Sequence, residues 1–185
     1  MKPLDLLLQR IRMQKASAHI PDGASVLDIG CGQGELFDYL RGRIGPSVGI
    51  DEEAIDRETV DGHQLQRGQF PEDLRVPVQF DTITMLAVVE HLPQQALESL
   101  SRTCSELLKE RGVIVITVPS PLVDHILVIL RFLKLVDAET LHQHHGFVPG
   151  SIPGLFSGKE FTVERMETFE LGLNNLFVIR KRART

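Results

Sequence analysis

The stretch SVLDIGCGQGELF, residues 25–37, decides the fold. Val26, Leu27 and Ile29 form a short apolar run closed by Gly30; two more glycines follow at positions 32 and 34, and Leu36, Phe37, Leu40 and Ile44 then fall on one side of a helix. An apolar run bounded by glycine reads as a buried strand and the later recurrence as a helix, so the segment is strand, glycine loop, helix. Downstream, SVGID (47–51) is a second strand, preceded by Pro46 and followed by the carboxylates Asp51, Glu52 and Glu53. The two strands and the helix between them make a βαβ unit.

The alternation continues along the chain. HQLQRGQF (63–70), FDTITMLAVV (80–89) and GVIVITVP (112–119) read as strands, with the helical QQALESLSRTCSELLKERG (94–112) between the last two. FTVERMETFEL (161–171) and NNLFVIRK (174–181) are two strands joined by a turn at Gly172-Leu173, which suits an antiparallel hairpin. Leu4, Leu7, Leu8 and Ile11 fall at i, i+3, i+4 and i+7 on one face of an opening helix that Pro21-Asp22-Gly23 ends. Strands alternating with helices imply a parallel sheet covered on both faces. The expected fold is an α/β three-layer sandwich of Rossmann-like type, with a mostly parallel seven-stranded sheet ending in an antiparallel hairpin. One domain over 1–185 is expected, with a cofactor-binding core at 24–119, a lid or substrate region at 120–158 and the hairpin at 159–185.

Composition narrows the function. Hydrophobic residues make up 42% and charged residues 24% of the 185 residues, with a net charge of -5, the balance of an ordinary globular protein. That acidic balance argues against a sequence-independent nucleic-acid binder, which needs a basic stripe to displace counterions. The one basic cluster, Arg180, Lys181, Arg182 and Arg184, reads as a solvated tail. Two cysteines, Cys31 and Cys104, give no disulfide framework, which suits a reducing compartment. MKPLDLLLQRIRMQK carries charge within its apolar run and lacks a small-residue cleavage site, so it does not read as a signal peptide. A cytoplasmic location is expected.

The glycine loop carries the chemistry. Glycine is wanted there because a bound cofactor must approach the backbone closely, bringing main-chain amides to it. Asp51 ends the next strand 17 residues beyond Gly34, where a carboxylate accepts hydrogen bonds from both hydroxyls of an adenosine ribose. A nicotinamide dinucleotide would use GxGxxG, but counting from Gly30 the sixth position is Glu35. A pyrophosphate would also be poorly served by Asp28 and Glu35, whereas a cofactor carrying an ammonium and a sulfonium tolerates them.

Taken together, VLDIGCGQG, the strand-ending Asp51 and FDTITMLAVVEHL resemble class I S-adenosylmethionine-dependent methyltransferases, within which the chain is most similar to small ubiquinone-biosynthesis-type (methyltransferase type 11-like) enzymes. The resemblance covers about residues 24–119, and the final hairpin resembles that family's last two strands. It implies S-adenosyl-L-methionine as cofactor. Asp28 and the loop Gly30, Cys31, Gly32 and Gly34 would hold its methionine part, Asp51 with Glu52 its ribose, and Leu86-Ala87-Val88 would pass near the reactive methyl. Glu90-His91 match the glutamate-histidine pair that often follows the fourth strand. The family usually has Gly-Asp after the third strand, its carboxylate accepting from the adenine amino group; here Gln69 follows Gly68, and its amide can accept that bond through oxygen. Phe70 is placed to pack on the adenine face or in the core.

The acceptor should be chosen by the 120–158 region. Leu122, Ile126, Ile129, Leu130 and Leu133 share a helical face opposite Asp124, Arg131 and Lys134. Residues 122–136 are too short for a membrane span, which needs about 20 apolar residues, so a packed lid helix is preferred to a peripheral membrane contact. His142, His144 and His145 lack a nearby Cys or carboxylate to complete a first shell, and no metal is expected. His144 or His145 is a candidate acid–base group, and His91 competes for that role. The expected reaction is methyl transfer to a small or lipid-like acceptor, with no nucleic-acid partner; the sequence is silent on oligomeric state. The alternatives are a non-catalytic cofactor-binding subunit or sensor and an NAD(P)-dependent oxidoreductase.

Overall fold

A computed structural model describes residues 3–59, 61–76, 78–120 and 148–183. Its strands are β1 (Val26–Ile29), β2 (Val48–Asp51), β3 (Arg57–Glu58), β4 (Gln64–Arg67), β5 (Phe80–Leu86), β6 (Leu108–Pro119), β7 (Phe161–Phe169) and β8 (Asn174–Lys181). All four residues of β1 are buried, because parallel neighbours flank it on both edges, with Leu27 opposite Val48 of β2 and Ile83 of β5. The sheet runs β3-β4-β2-β1-β5-β6-β8-β7. β1, β2, β4, β5 and β6 are parallel; β8 inserts antiparallel between β6 and β7.

The sheet has eight strands rather than seven. The additional one is β3, whose Arg57 and Glu58 pair antiparallel with Leu65 and Gln64. Both are exposed, so no apolar alternation marks the strand in the sequence. The hairpin turn is the 3-10 segment Glu170–Gly172, so the strand before it ends at Phe169 and the turn begins two residues earlier than the expected Gly172-Leu173.

Alternation along the strands divides the core. Leu27, Ile29, Ile83, Met85, Ile114 and Ile116 face Leu100 and Cys104 of helix α3 (Gln94–Leu107), whereas Val26 packs with Leu36 and Phe37 of a short helix that follows the glycine loop. Numbered along the chain, the helices are α1 (Pro3–Ser17), α2 (Glu35–Tyr39), α3 and α4 (Ile152–Leu155). α1 lies with α2 over one face, its Ala16 against Val113, Val115 and Val178. α3 and α4 cover the other, giving three layers.

Three sequence expectations change. On α1 the face against the sheet is made by Ile11 and Ala16, while Leu7 is 54% exposed. Helical periodicity shows which residues share a face but not how far the sheet reaches beneath it. Part of the expected lid packs into the core: within 148–158, Ile152 and Phe156 lie inside the largest apolar cluster while Val148, Gly150 and Ser157 are exposed, and Pro149 and Pro153 stand at the starts of helical turns. Lys181, expected in a solvated tail, is 4% exposed and donates from Nζ to the carbonyls of Ser105 and Leu108, each at 2.7 Å. These carbonyls end α3, so the ammonium caps a helix C-terminus. The apolar stretch 122–136 and His142, His144 and His145 lie outside the described residues. Among the described residues no helix is long and apolar enough to cross a membrane.

Candidate functional site

The site is built at the carboxyl ends of β1, β2, β4 and β5, where loops of a parallel sheet converge. Gly30 leaves β1 at φ +74°, and a Cβ there would stand 2.2 Å from Val88 Cγ2. Only glycine lets the loop lie against the turn after β5. Gly34, at φ +94°, turns the chain into α2, with the Leu65 side chain 3.2 Å from where a Cβ would be.

The loop amides are committed to the protein itself. Gly30 N donates to Ile50 O at 2.8 Å and Cys31 N to the same carbonyl at 3.3 Å. Gly32 N donates to Asp51 Oδ2 at 3.0 Å, Gln33 N to Glu35 Oε2 at 2.9 Å and Gly34 N to Cys31 O at 2.9 Å. Three of these bonds run to Ile50 and Asp51 of β2, and the other two stay within the loop and the start of α2. What the loop offers is close approach beside three carboxylates, those of Asp28, Glu35 and Asp51.

Asp28 is 3% exposed and its Oδ1 accepts from Thr84 Oγ1 at 2.6 Å. Burial pushes its carboxyl up to about 7; the Thr84 bond opposes this, and the nearby charges of Glu35 and Asp51 add to it. The carboxyl therefore binds a cation more readily than it tolerates standing alone as an anion. Asp51 is half-buried, its Oδ1 accepting from Glu53 N at 2.8 Å while Oδ2 holds Gly32 N. Each oxygen keeps a further lone pair that can accept a hydrogen bond. Glu52 is exposed beside it.

The Cys31 side chain lies in the core with Leu36, Phe37 and Leu65, and burial together with the Asp28 and Asp51 carboxylates raises its thiol far above the usual range. It is an inert apolar packing group. Gln69 is exposed and Phe70 belongs to the core with Val48 and Ile50. Asp73, not singled out from the sequence, places Oδ2 2.9 Å from Gln69 N, and a Cβ on Gly68 would lie 2.4 Å from Asp73 Cβ. A carboxylate thus stands beside Gly68 although Gln69 occupies the next position. QFPED carries the signal, an Asp four residues after the amide it caps.

On the other side of Gly30, Leu86 ends β5 half-buried and Ala87 takes φ +60°, its N–H donating to Thr117 O at 2.9 Å. A non-glycine residue held there carries about 1 kcal/mol or more of strain, a common mark of functional sites. The 3-10 turn Val89–His91 follows. It exposes His91 and buries Glu90, which is 4% exposed with Oε2 unpartnered. Sequence reasoning weighed the histidine for acid–base work and passed over its neighbour; the signal was an acid at the end of the apolar run MLAVVE. Among the described residues no group of three or more His, Cys, Asp or Glu is placed to hold a metal.

Comparison with known proteins bears on the family and the fold. The profile of a methyltransferase domain family matches residues 5–164. A ubiquinone biosynthesis O-methyltransferase of Leptothrix cholodnii is 33% identical over 101 residues, 49% of this chain and 42% of that protein. Its namesake in Paraburkholderia phytofirmans is 33% identical over 121 residues, 60% of this chain and 51% of the relative. The chain thus spans about half or less of the length of these relatives. A Mesorhizobium loti S-adenosylmethionine-dependent methyltransferase structure superposes with TM-score 0.66 at 17% identity, covering 91% of this chain and 96% of that one. The Synechocystis magnesium protoporphyrin IX methyltransferase, solved with bound S-adenosylhomocysteine, gives 0.61 at 15%, covering 95% and 82%. With the family profile spanning most of the sequence and the fold matching, the chain belongs to the methyltransferase domain family whose cofactor is S-adenosylmethionine.

Proposed function

We propose that the chain transfers a methyl group from S-adenosylmethionine to a small acceptor in the cytoplasm, and that the acceptor is not a nucleic acid. The observation that carries the reading is the glycine loop with all five of its amides bonded within the protein and carboxylates around it. A pyrophosphate needs free N–H groups at such a turn; an ammonium and a sulfonium need carboxylates and close approach. This distinction favours methyl transfer over the nicotinamide reading. The relatives' name, ubiquinone biosynthesis O-methyltransferase, supports a hydroxyl-bearing small molecule as acceptor, lipid-like if the apolar 122–136 segment lines its path.

When bound, the cofactor supplies an electrophilic methyl on a sulfonium, an excellent leaving group. The chain's own residues position and shield. In this reading Asp28 takes the ammonium, Asp51 the ribose hydroxyls, Asp73 or Gln69 the adenine amino group, and the Leu86-Ala87-Val88 corner closes the methyl's side. Orienting an acceptor there converts a bimolecular displacement into an effectively unimolecular one.

Thermal denaturation with S-adenosylmethionine, S-adenosylhomocysteine and NAD is the test. The two sulfur nucleosides should raise Tm and NAD should not, since only a ligand of the folded state stabilises it. A shift with NAD alone would overturn the reading. Binding without release of S-adenosylhomocysteine in the presence of cell extract would favour the non-catalytic subunit.

A further inference from the structure

Beyond the cofactor loop, the carboxyl end of the sheet holds a second group of polar atoms that the fold leaves unused. Glu90 Oε2, Asn174 Oδ1 and Glu170 Oε1 are buried with no hydrogen-bond partner, and Glu90 and Asn174 are 4% and 5% exposed. Buried polar atoms are normally paired, so each unpaired one needs a reason. The three come from separate elements of the same end of the sheet. Glu90 lies in the turn after β5, Glu170 in the turn between β7 and β8, and Asn174 opens β8 opposite Pro119 of β6. Asn174 Nδ2 donates one of its two hydrogens to Glu170 Oε2, which leaves Asn174 Oδ1 and Glu170 Oε1 without a partner. All three unpartnered atoms accept and none needs to donate. A group that satisfies them must bring N–H or O–H.

The turn that carries Glu90 also meets the glycine loop. Glu90 follows Val88 by two residues, and Val88 is the side chain against which Gly30 of the cofactor loop lies. Glu170 and Leu171 both hold positive φ, at 51° and 57°, without being glycine.

From this arrangement, and resting on the methyltransferase reading above, we infer that Glu90 is the base that receives the proton of a hydroxyl or amine acceptor, with Asn174 and Glu170 orienting the acceptor's remaining donors. As the acceptor's lone pair forms the new O–C or N–C bond, the methyl–sulfur bond breaks and its electron pair stays on sulfur. The acceptor's proton passes to Glu90 Oε2 and from there to solvent. Burial raises the Glu90 carboxyl to about 7, opposed by its own backbone N–H and by the Arg12 guanidinium on α1, so it can take up a proton near neutral pH. Arg12 likewise opposes the rise that burial causes at Glu170. His91 shares the turn with Glu90, and Arg12 is the charged group that acts on Glu90 from a neighbouring element.

Sinefungin tests this without knowing the acceptor, because it is the cofactor nucleoside with a primary amine where the transferable methyl stands. Calorimetry on the full chain should show that Glu90→Gln weakens sinefungin roughly ten- to a hundredfold, the cost of one charge-assisted hydrogen bond, and leaves S-adenosylhomocysteine within about twofold. Glu90→Asp should recover part of the loss. In the unaltered chain, sinefungin affinity relative to S-adenosylhomocysteine should fall as pH drops below about 7, as Glu90 takes up a proton; this needs no variant to fold. Equal losses of both ligands, or a sinefungin to S-adenosylhomocysteine ratio unchanged by Glu90→Gln and by pH, overturns the role of Glu90. Binding of neither ligand to the unaltered chain overturns the cofactor reading itself.

Discussion

Thr84 donates to Asp28 across the β1–β5 pair, a 2.6 Å bond in the sheet interior that fixes one oxygen of the carboxyl. Asp28 has a folded-state carboxyl near 7 against an ordinary 3.8. Its linkage to folding has a definite sign: the unfolded chain ionises first, so stability falls as pH rises from about 4 to about 7 and is level above. Asp28→Asn keeps an oxygen for Thr84 and removes that cost. The empty protein should then melt higher by about 2–8 °C at pH 8, a gain of about 1–2 kcal/mol, and show no gain at pH 4. The same variant should bind S-adenosylmethionine roughly tenfold more weakly or worse, having lost the charge opposite the ammonium. A variant that gained neither stability nor lost affinity would place the carboxyl outside the site.

Asp51 holds the loop as well as facing the ribose. Asp51→Ala removes acceptors for Gly32 N and Glu53 N and should lower stability by about 1–3 kcal/mol, besides abolishing the cofactor-induced rise in Tm. Denaturant unfolding gives the first quantity and thermal shift the second. Loss of stability with the shift intact would remove Asp51 from the ribose site.

Gly30 and Val88 should behave as a coupled pair. Gly30→Ala alone brings a Cβ within 2.2 Å of Val88 Cγ2 at positive φ and should cost about 2–4 kcal/mol, strain and overpacking together. In a Val88→Ala background the overlap disappears and only the backbone strain, about 1–2 kcal/mol, should remain. Additive losses in the double-mutant cycle would show that the loop does not lie against this turn.

Lys181→Met should destabilise by about 1–3 kcal/mol, because the carbonyls of Ser105 and Leu108 lose their donor in a buried place. Arg182→Met, an exposed neighbour bonded to Thr162 Oγ1, should change stability by about 0.5 kcal/mol or less. Urea midpoints of the two variants separate a buried helix cap from a solvated tail.

The parts of the fold written in local periodicity were legible in the sequence. β1, β5 and β6 show as apolar runs because both faces of a central parallel strand are covered, and the glycine loop shows because its backbone angles exclude side chains. The parts decided by distant partners were not. Arg57 and Glu58 form a strand only because β4 is there to pair with. Lys181 looks like any basic residue near a chain end until α3 presents its carbonyls. In the candidate site, the glycines and Asp51 stand out by spacing and Asp28 by the family resemblance, whereas the fate of the loop amides and the burial of Glu90 beside exposed His91 depend on how β2 and the turn after β5 pack around them.

β8 lies between β6 and β7, with Ile114, Val115 and Ile116 of β6 paired to its Ile179, Val178 and Phe177. During synthesis every strand it separates leaves the ribosome before it. Until then β6 presents a bare, sticky margin to which another nascent chain could add, and β7 has no strand to pair with. Stopping translation short of residue 174 would therefore yield material bound for inclusion bodies or the chaperones, and not a smaller working protein.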